Sequence, residues 1–139
     1  MSTPPDIRDD LVRDEGLRLK PYRCTAGKLT IGIGRNLDDV GISRDEALYL
    51  LENDIARAHA DASRTFPWYG ALDEVRQGVV LNMVFNLGLT RFSQFHQTIQ
   101  HIQRGEYAAA ADQMLKSLWA KQVGARATRL ARQMREGVK

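Results

Sequence analysis

The stretch Glu15–Asn36, EGLRLKPYRCTAGKLTIGIGRN, carries the change of period on which the fold turns. Upstream of it, Ile7, Leu11 and Glu15 recur at i, i+4 and i+8, the spacing of one helical stripe. Thr3 followed by Pro4 and Pro5 reads as the start of that helix, since proline is tolerated in a first turn, and Gly16 reads as its stop. From Leu17 to Ile33 the period falls to two, and Thr25-Ala26-Gly27-Lys28 supplies the turn of a β-hairpin. In the second strand Leu29, Ile31 and Ile33 share one face, while Thr30, Gly32 and Gly34 share the other. The second face has little bulk. It either lets a flat polymer lie against the backbone, with the Thr30 hydroxyl free to hold a water, or simply faces solvent.

Beyond NLDDVG (36–41) the pattern is helical throughout. Ser43-Arg44-Asp45-Glu46 is a capping box, and Ala47, Leu51, Ile55 and Ala58 continue one stripe behind it. TFPWYG (65–70) breaks that helix. Asp73 to about Leu87 forms the next, and its VVLNMVFNLG (79–88) is apolar nearly all round, as expected of a buried central helix. Phe95, Ile99 and Ile102 mark a shorter helix ended by Gly105; another runs from Tyr107 to about Trp119, and a last one from Ala125 to Arg135. The expected class is α+β: a small hairpin lobe at about 16–42, and a helical lobe from about 1–15 plus 43–139. Together they form one domain with a cleft between the lobes, a usual place for a ligand.

The length of 139 residues suits one domain with a real core. No run approaches the roughly 18 apolar residues of a membrane span, and the N-terminus lacks the pattern of a signal peptide, so synthesis and retention in the cytoplasm are expected. The single cysteine rules out an internal disulfide and a thiolate metal cluster. Net charge is +3, yet from Lys116 onward seven basic residues meet one acid, Glu136. Such a basic end suits a polyanion (nucleic acid, an anionic membrane or an anionic wall polymer), or else a solvated helix face.

Taken singly, the reactive residues are ambiguous. Glu15 at the end of an apolar stripe is either a partly buried carboxyl with a raised pKa, fit for general-acid work, or a helix-end glutamate paired with Arg18. A lone cysteine such as Cys24 is ordinarily an inert small hydrophobe, and a cysteine-hydrolase scheme needs a histidine in reach. His59, His96 and His101 have no distinguishing neighbours in the sequence.

Their joint spacing is more specific. Glu15, eight residues, Cys24, five residues, Thr30 resembles the catalytic pattern of the phage-type lysozymes, glycoside hydrolase family 24, in which the middle position is Asp or Cys. RDEGLRLKPY (13–22), GKLTIGIGR (27–35), ISRDEALYLLENDIARA (42–58), ALDEVRQGVVLNMVFNLG (71–88) and KSLWAKQ with ARA (116–127) resemble successive segments of that family's T-even members, over essentially the whole chain.

The resemblance implies an endolysin, a muramidase cleaving the β-1,4 bond between N-acetylmuramic acid and N-acetylglucosamine of peptidoglycan, with no metal and no organic cofactor. It implies Glu15 as proton donor, Cys24 at the second catalytic position and Thr30 placing the attacking water. Asn36, Phe85, Asn86, Thr98 and Gln113 fall at saccharide-contacting positions, and Arg126 at that of a base paired with the acid. Family behaviour favours inversion, which needs a gap of ~6.5–9.5 Å between the two groups, against ~5–5.5 Å for retention. Since a free thiol is mostly neutral at pH 7, either the cations Arg23, Lys28 or the C-terminal arginines depress the Cys24 pKa, or Glu15 carries most of the chemistry. Arg35 departs from the T-even pattern of histidine after GIG, and is expected to pair with Asp54, leaving Asp54 as the pH-sensitive partner. By the same analogy a holin releases the enzyme from the host cytoplasm to the wall, where it acts as a monomer without nucleic acid. A wall-binding or membrane-permeabilising protein acting through helix 125–135 and a nucleic-acid binder are the rival classes; a lytic transglycosylase is the rival chemistry.

Overall fold

The N-terminal helix starts later than Pro4-Pro5 suggests. In the computed structural model, which describes residues 3–139, α1 spans Arg8–Glu15. Pro5 biases the residue before it toward extended backbone, so the prolines stay outside the helix. The Asp6 carboxylate accepts the Arg8 amide (3.2 Å) and stands in for a cap. Gly16, at φ 79°, ends α1 by donating its amide to the Val12 carbonyl. None of α1 is buried, so the stripe ending at Glu15 is an exposed one and the carboxyl is not buried as expected.

β1 (Arg18–Arg23) and β2 (Leu29–Gly32) form the antiparallel hairpin, irregular between Arg18 and Tyr22. Pro21 is accommodated because β1 is an edge strand. β2 is shorter than its alternation implies. Gly32 and Gly34 both adopt positive φ, so Ile33 and Gly34 turn the chain into a third strand, β3 (Arg35–Asn36), which completes a β1-β2-β3 sheet. β2 is therefore central. This is why Thr30 is only 3% exposed and the open glycine-rich face expected of residues 30–34 does not form.

α2 (Arg44–Thr65) opens on the capping box: the Ser43 hydroxyl accepts the Glu46 amide (3.1 Å) and the Glu46 carboxylate accepts the Ser43 amide (2.8 Å). The same carboxylate takes both arms of Arg35, at 2.8 and 2.6 Å, while Asp54 pairs with Arg57. The expected Arg35–Asp54 pair is thus replaced by Arg35–Glu46. Both acids lie on α2, about two turns apart, and the capping-box acid takes the guanidinium in a two-armed pair. Arg35, and after it the Ser43 amide, holds the Glu46 carboxyl down at about 2, against an ordinary 4.5. A carboxyl depressed on folding stabilises above its unfolded pKa, and that stability is lost as pH falls toward the folded value. Wild type should therefore melt above a Glu46→Gln variant from neutral pH down to about 5, and the gap should close between about 4.5 and about 2. A gap unchanged at pH 2 in thermal melts would refute this coupling.

Two compact units divide inside α2: one ends at Tyr49, the other spans Leu50–Lys139. The second is built from α3 (Glu74–Leu87), α4 (Leu89–Phe92), α5 (His96–Gln103), α6 (Tyr107–Lys116), α7 (Leu118–Val123) and α8 (Ala125–Glu136), with the end of α2. Val79, Val80 and Met83 of α3 are fully buried, but Phe85 on its other side is 48% exposed, so this helix is one-sided and not buried all round. Small residues, Ala110 and Ala111 on α6 and Ala127 and Ala131 on α8, let those two helices pack closely. The expected helix 107–119 breaks at Ser117, which is extended (ψ 158°); its hydroxyl donates to the Met114 carbonyl and accepts the Ala120 amide, closing α6 and opening α7. Arg76 of α3 reaches the end of α8, donating to the Met134 and Arg135 carbonyls.

Candidate active site

In the first unit the three residues of the Glu-Cys-Thr pattern occupy a helix end, a turn and a central strand. Glu15 is the last residue of α1, exposed, with no hydrogen-bond partner for its carboxylate among the described residues of that unit. The carboxylate instead lies against the backbone of Gly34: a Cβ added there would stand 2.7 Å from Oε2.

Cys24 directly follows β1 at the mouth of the hairpin turn. Its amide donates to the Lys28 carbonyl (3.0 Å) and its carbonyl accepts from Gly27 (2.8 Å), so the turn closes on itself. The half-buried thiol has its pKa lowered, first by the Lys28 amide and then by that of Ala26, with a smaller pull from the Thr30 hydroxyl; partial burial opposes them. Backbone donors converging on the sulfur favour the thiolate. The expected cation effect is not the cause. Arg23 donates to the Gly27 carbonyl (3.1 Å) and lies 3.8 Å from Asp38, and Lys28 pairs with Asp39 (3.2 Å).

Thr30 donates to the Lys28 carbonyl at 2.9 Å. That hydroxyl also lies beside the Cys24 sulfur, so its one proton is shared between the Lys28 carbonyl and the thiolate, and Thr30 braces the turn. Asn36 pairs with Thr30 across β2 and β3, and its side chain is engaged with Asp39 at both polar ends (3.0 and 2.9 Å). Asp38 accepts the Leu29 amide (2.8 Å). The two aspartates of NLDDVG therefore clamp the cysteine turn from behind, a role the sequence reading missed. The signal was present in the Asn-x-Asp-Asp run, whose side chains habitually bond nearby amides. No histidine occurs in residues 1–49, so nothing within this unit can form a Cys-His pair.

In the second unit the other four residues separate. Thr98, 3% exposed, and Gln113 line a pocket of about 550 Å³ with Trp119, Gln97, Arg91 and Lys116. Phe85 lines a different, more apolar pocket of about 370 Å³ with Leu51, Ile55, Leu81 and Arg126. Asn86 accepts from the Trp119 indole at 2.8 Å, and so orients a wall of the first pocket. Arg126 donates to the Asn82 carboxamide oxygen twice, at 2.9 and 2.7 Å. His59 bonds the buried Tyr69 hydroxyl (2.8 Å) and His101 bonds Glu106 (3.0 Å), which gives both a structural task. Of the α8 arginines, Arg126, Arg132 and Arg135 have partners at Asn82, Glu136 and Asp112; among the described residues only Arg129 has none. That leaves less free charge for a polyanion than the sequence count implies. No helix among the described residues is long and apolar enough to cross a membrane.

Comparison with known proteins bears on the family of the chain. A sequence model described as Phage lysozyme matches residues 12–136. The chain is 33% identical to the "Endolysin" of Acyrthosiphon pisum secondary endosymbiont phage 1, over 78% of this chain and 73% of that protein. It is 28% identical to "Probable T4-type lysozyme 1" of Dictyostelium discoideum, over 89% of this chain and 90% of the relative. It is 29% identical to the "SAR-endolysin" of Escherichia phage Mu, over 81% of this chain and 66% of that one.

Proposed function

The chain belongs to the phage lysozyme family, and from that premise we propose that it is a wall-degrading muramidase, hydrolysing the β-1,4 bond between N-acetylmuramic acid and N-acetylglucosamine. Family membership supports a lytic glycoside hydrolase acting on peptidoglycan. The observation that carries the finer reading is the hairpin itself: one face of its second turn seats the Glu15 carboxylate, and its first turn aims amides at the Cys24 sulfur.

In this reading Glu15 protonates the glycosidic oxygen as the bond breaks. The Cys24 thiolate faces the positive charge that grows on the sugar ring, and a water completes the displacement. Thr30 and the Asp38–Asp39 clamp hold the turn that carries the thiolate. The pocket with Thr98 and Gln113 offers amides, hydroxyls and an indole, the surface a saccharide uses, while Phe85 offers an apolar face. Asn36 acts through the sheet, since its amide is already engaged.

Product analysis on purified peptidoglycan tests the reaction. New reducing muramic ends are expected; anhydro ends would mean a transglycosylase, and lysis of cells without new ends would mean a membrane-acting protein. The thiol has its own test. A carboxylate stays charged several pH units below a thiol, so Cys24→Asp should remain active and carry the acid limb of its pH–rate profile to lower pH. Superimposable profiles for the two enzymes would show that charge at this position does no chemistry.

A further inference from the structure

Gly34 is not an ordinary turn glycine. Gly32, two residues earlier at nearly the same φ (71° against 72°), would carry a Cβ into open space. At Gly34 the same atom would meet Glu15 at three points: Oε2 at 2.7 Å, Cδ at 3.0 Å and Cγ at 3.2 Å. Real Cβ contacts do not come that close, so a side chain at position 34 must displace the Glu15 carboxyl. The contact falls on the end of a flexible side chain that nothing else in its unit holds. Its cost to folding is therefore small, and its effect on where the carboxyl sits is large.

We propose that Gly34 is a positioning residue for the general acid: its bare Cα forms the seat that holds the Glu15 carboxyl at the end of α1, and any Cβ evicts it. The inference rests on the reading of Glu15 as the proton donor. A reacting group misplaced by about 1 Å can lose roughly 100-fold in rate, because a proton is delivered only along a narrow approach.

The experiment compares Gly34→Ala with Gly41→Ala. Gly41 belongs to the same unit, has φ 65°, and would meet nothing within 4 Å, so it carries the backbone strain without the contact. Both variants should lose similar melting temperature. Only Gly34→Ala should lose kcat, by about 100-fold, with KM little changed, since a displaced acid weakens the transition state and not substrate binding. The carbon-13 chemical shift of the Glu15 side-chain carboxyl, read at one fixed pH, should move in Gly34→Ala and stay put in Gly41→Ala. If the alanine chain does not fold, Gly34→Asn carries the same Cβ in a residue that tolerates the left-handed region. Equal kcat in the two variants, or a Glu15 carboxyl shift unmoved at position 34, overturns the proposal. Full activity of Glu15→Gln would instead sink the acid assignment, while the carboxyl shift would still report whether Gly34 seats that carboxyl.

Discussion

Glu15→Gln should lose about 1,000-fold in turnover on peptidoglycan and unfold at the same temperature as wild type. Turnover falls because an amide cannot give up a proton to the leaving oxygen, and general-acid assistance is typically worth 10²–10⁴-fold. The fold is untouched for reasons visible around the residue. Glu15 is exposed, ends its helix, and takes no hydrogen bond within its own unit, so the amide neither strands a partner nor opens a cavity. Exposed substitutions of this kind usually change stability by no more than about 0.5 kcal/mol. The amide also has the carboxylate's shape and fits the same seat against Gly34. Turbidity clearing and thermal melts on one preparation decide the matter: a glutamine variant that clears walls like wild type removes Glu15 from the chemistry, and one that is inactive but also unfolded fails the structural half of the argument.

Features written in adjacent residues are legible in the sequence alone. The Ser43–Glu46 capping box, the Gly16 stop and the hairpin turn at 25–28 each depend on side chains within four positions, and each forms. The Glu15–Cys24–Thr30 pattern was legible as spacing. Illegible were choices between equivalent local options. Glu46 and Asp54 share a helix and a charge, and only the path of the chain after Gly34 decides which reaches Arg35. The two residues of β3 hold too little sequence to announce a strand; they pair because Gly32 and Gly34 take left-handed conformations that fold them back on Thr30 and Ile31. Ser117 sits in a helix-favouring run and breaks it by capping both neighbours at once. The source of the thiol's low pKa was out of reach for the same reason: backbone amides have no residue letter, and the nearby lysine and arginine that do are neutralised by Asp38 and Asp39.

Arg76→Ala is expected to be the most destabilising single truncation of a charged residue in the second unit, by about 3 kcal/mol. The last carbonyls of α8 have no intrahelical donors, and Arg76 supplies them: Nε to the Met134 oxygen at 2.6 Å and Nη2 to that of Arg135 at 2.9 Å. Hydrogen bonds to a charged donor are worth about 1.5–3 kcal/mol, and a cation at a helix C-terminus adds a favourable dipole interaction. The guanidinium lies 3.8 Å from the Tyr107 ring centroid and pairs with Asp73 at 3.1 Å, so α3, α6 and α8 all meet at one side chain that is only 15% exposed. The chain makes room for it. Gly137, at φ 72°, ends α8, and a Cβ there would stand 2.8 Å from Nη1. Truncation would leave carbonyls, a carboxylate and an aromatic face without their common partner, and a melting temperature lower by roughly 10 °C is the scale that follows for a chain of this size. Arg76→Lys should recover only part of the loss, because an ammonium keeps the charge but lacks the planar fork that reaches two carbonyls by its edge while its face lies over a ring. An alanine variant melting close to wild type, or a lysine variant indistinguishable from it, would show that α8 is held by its buried face of Leu130 and Met134 alone.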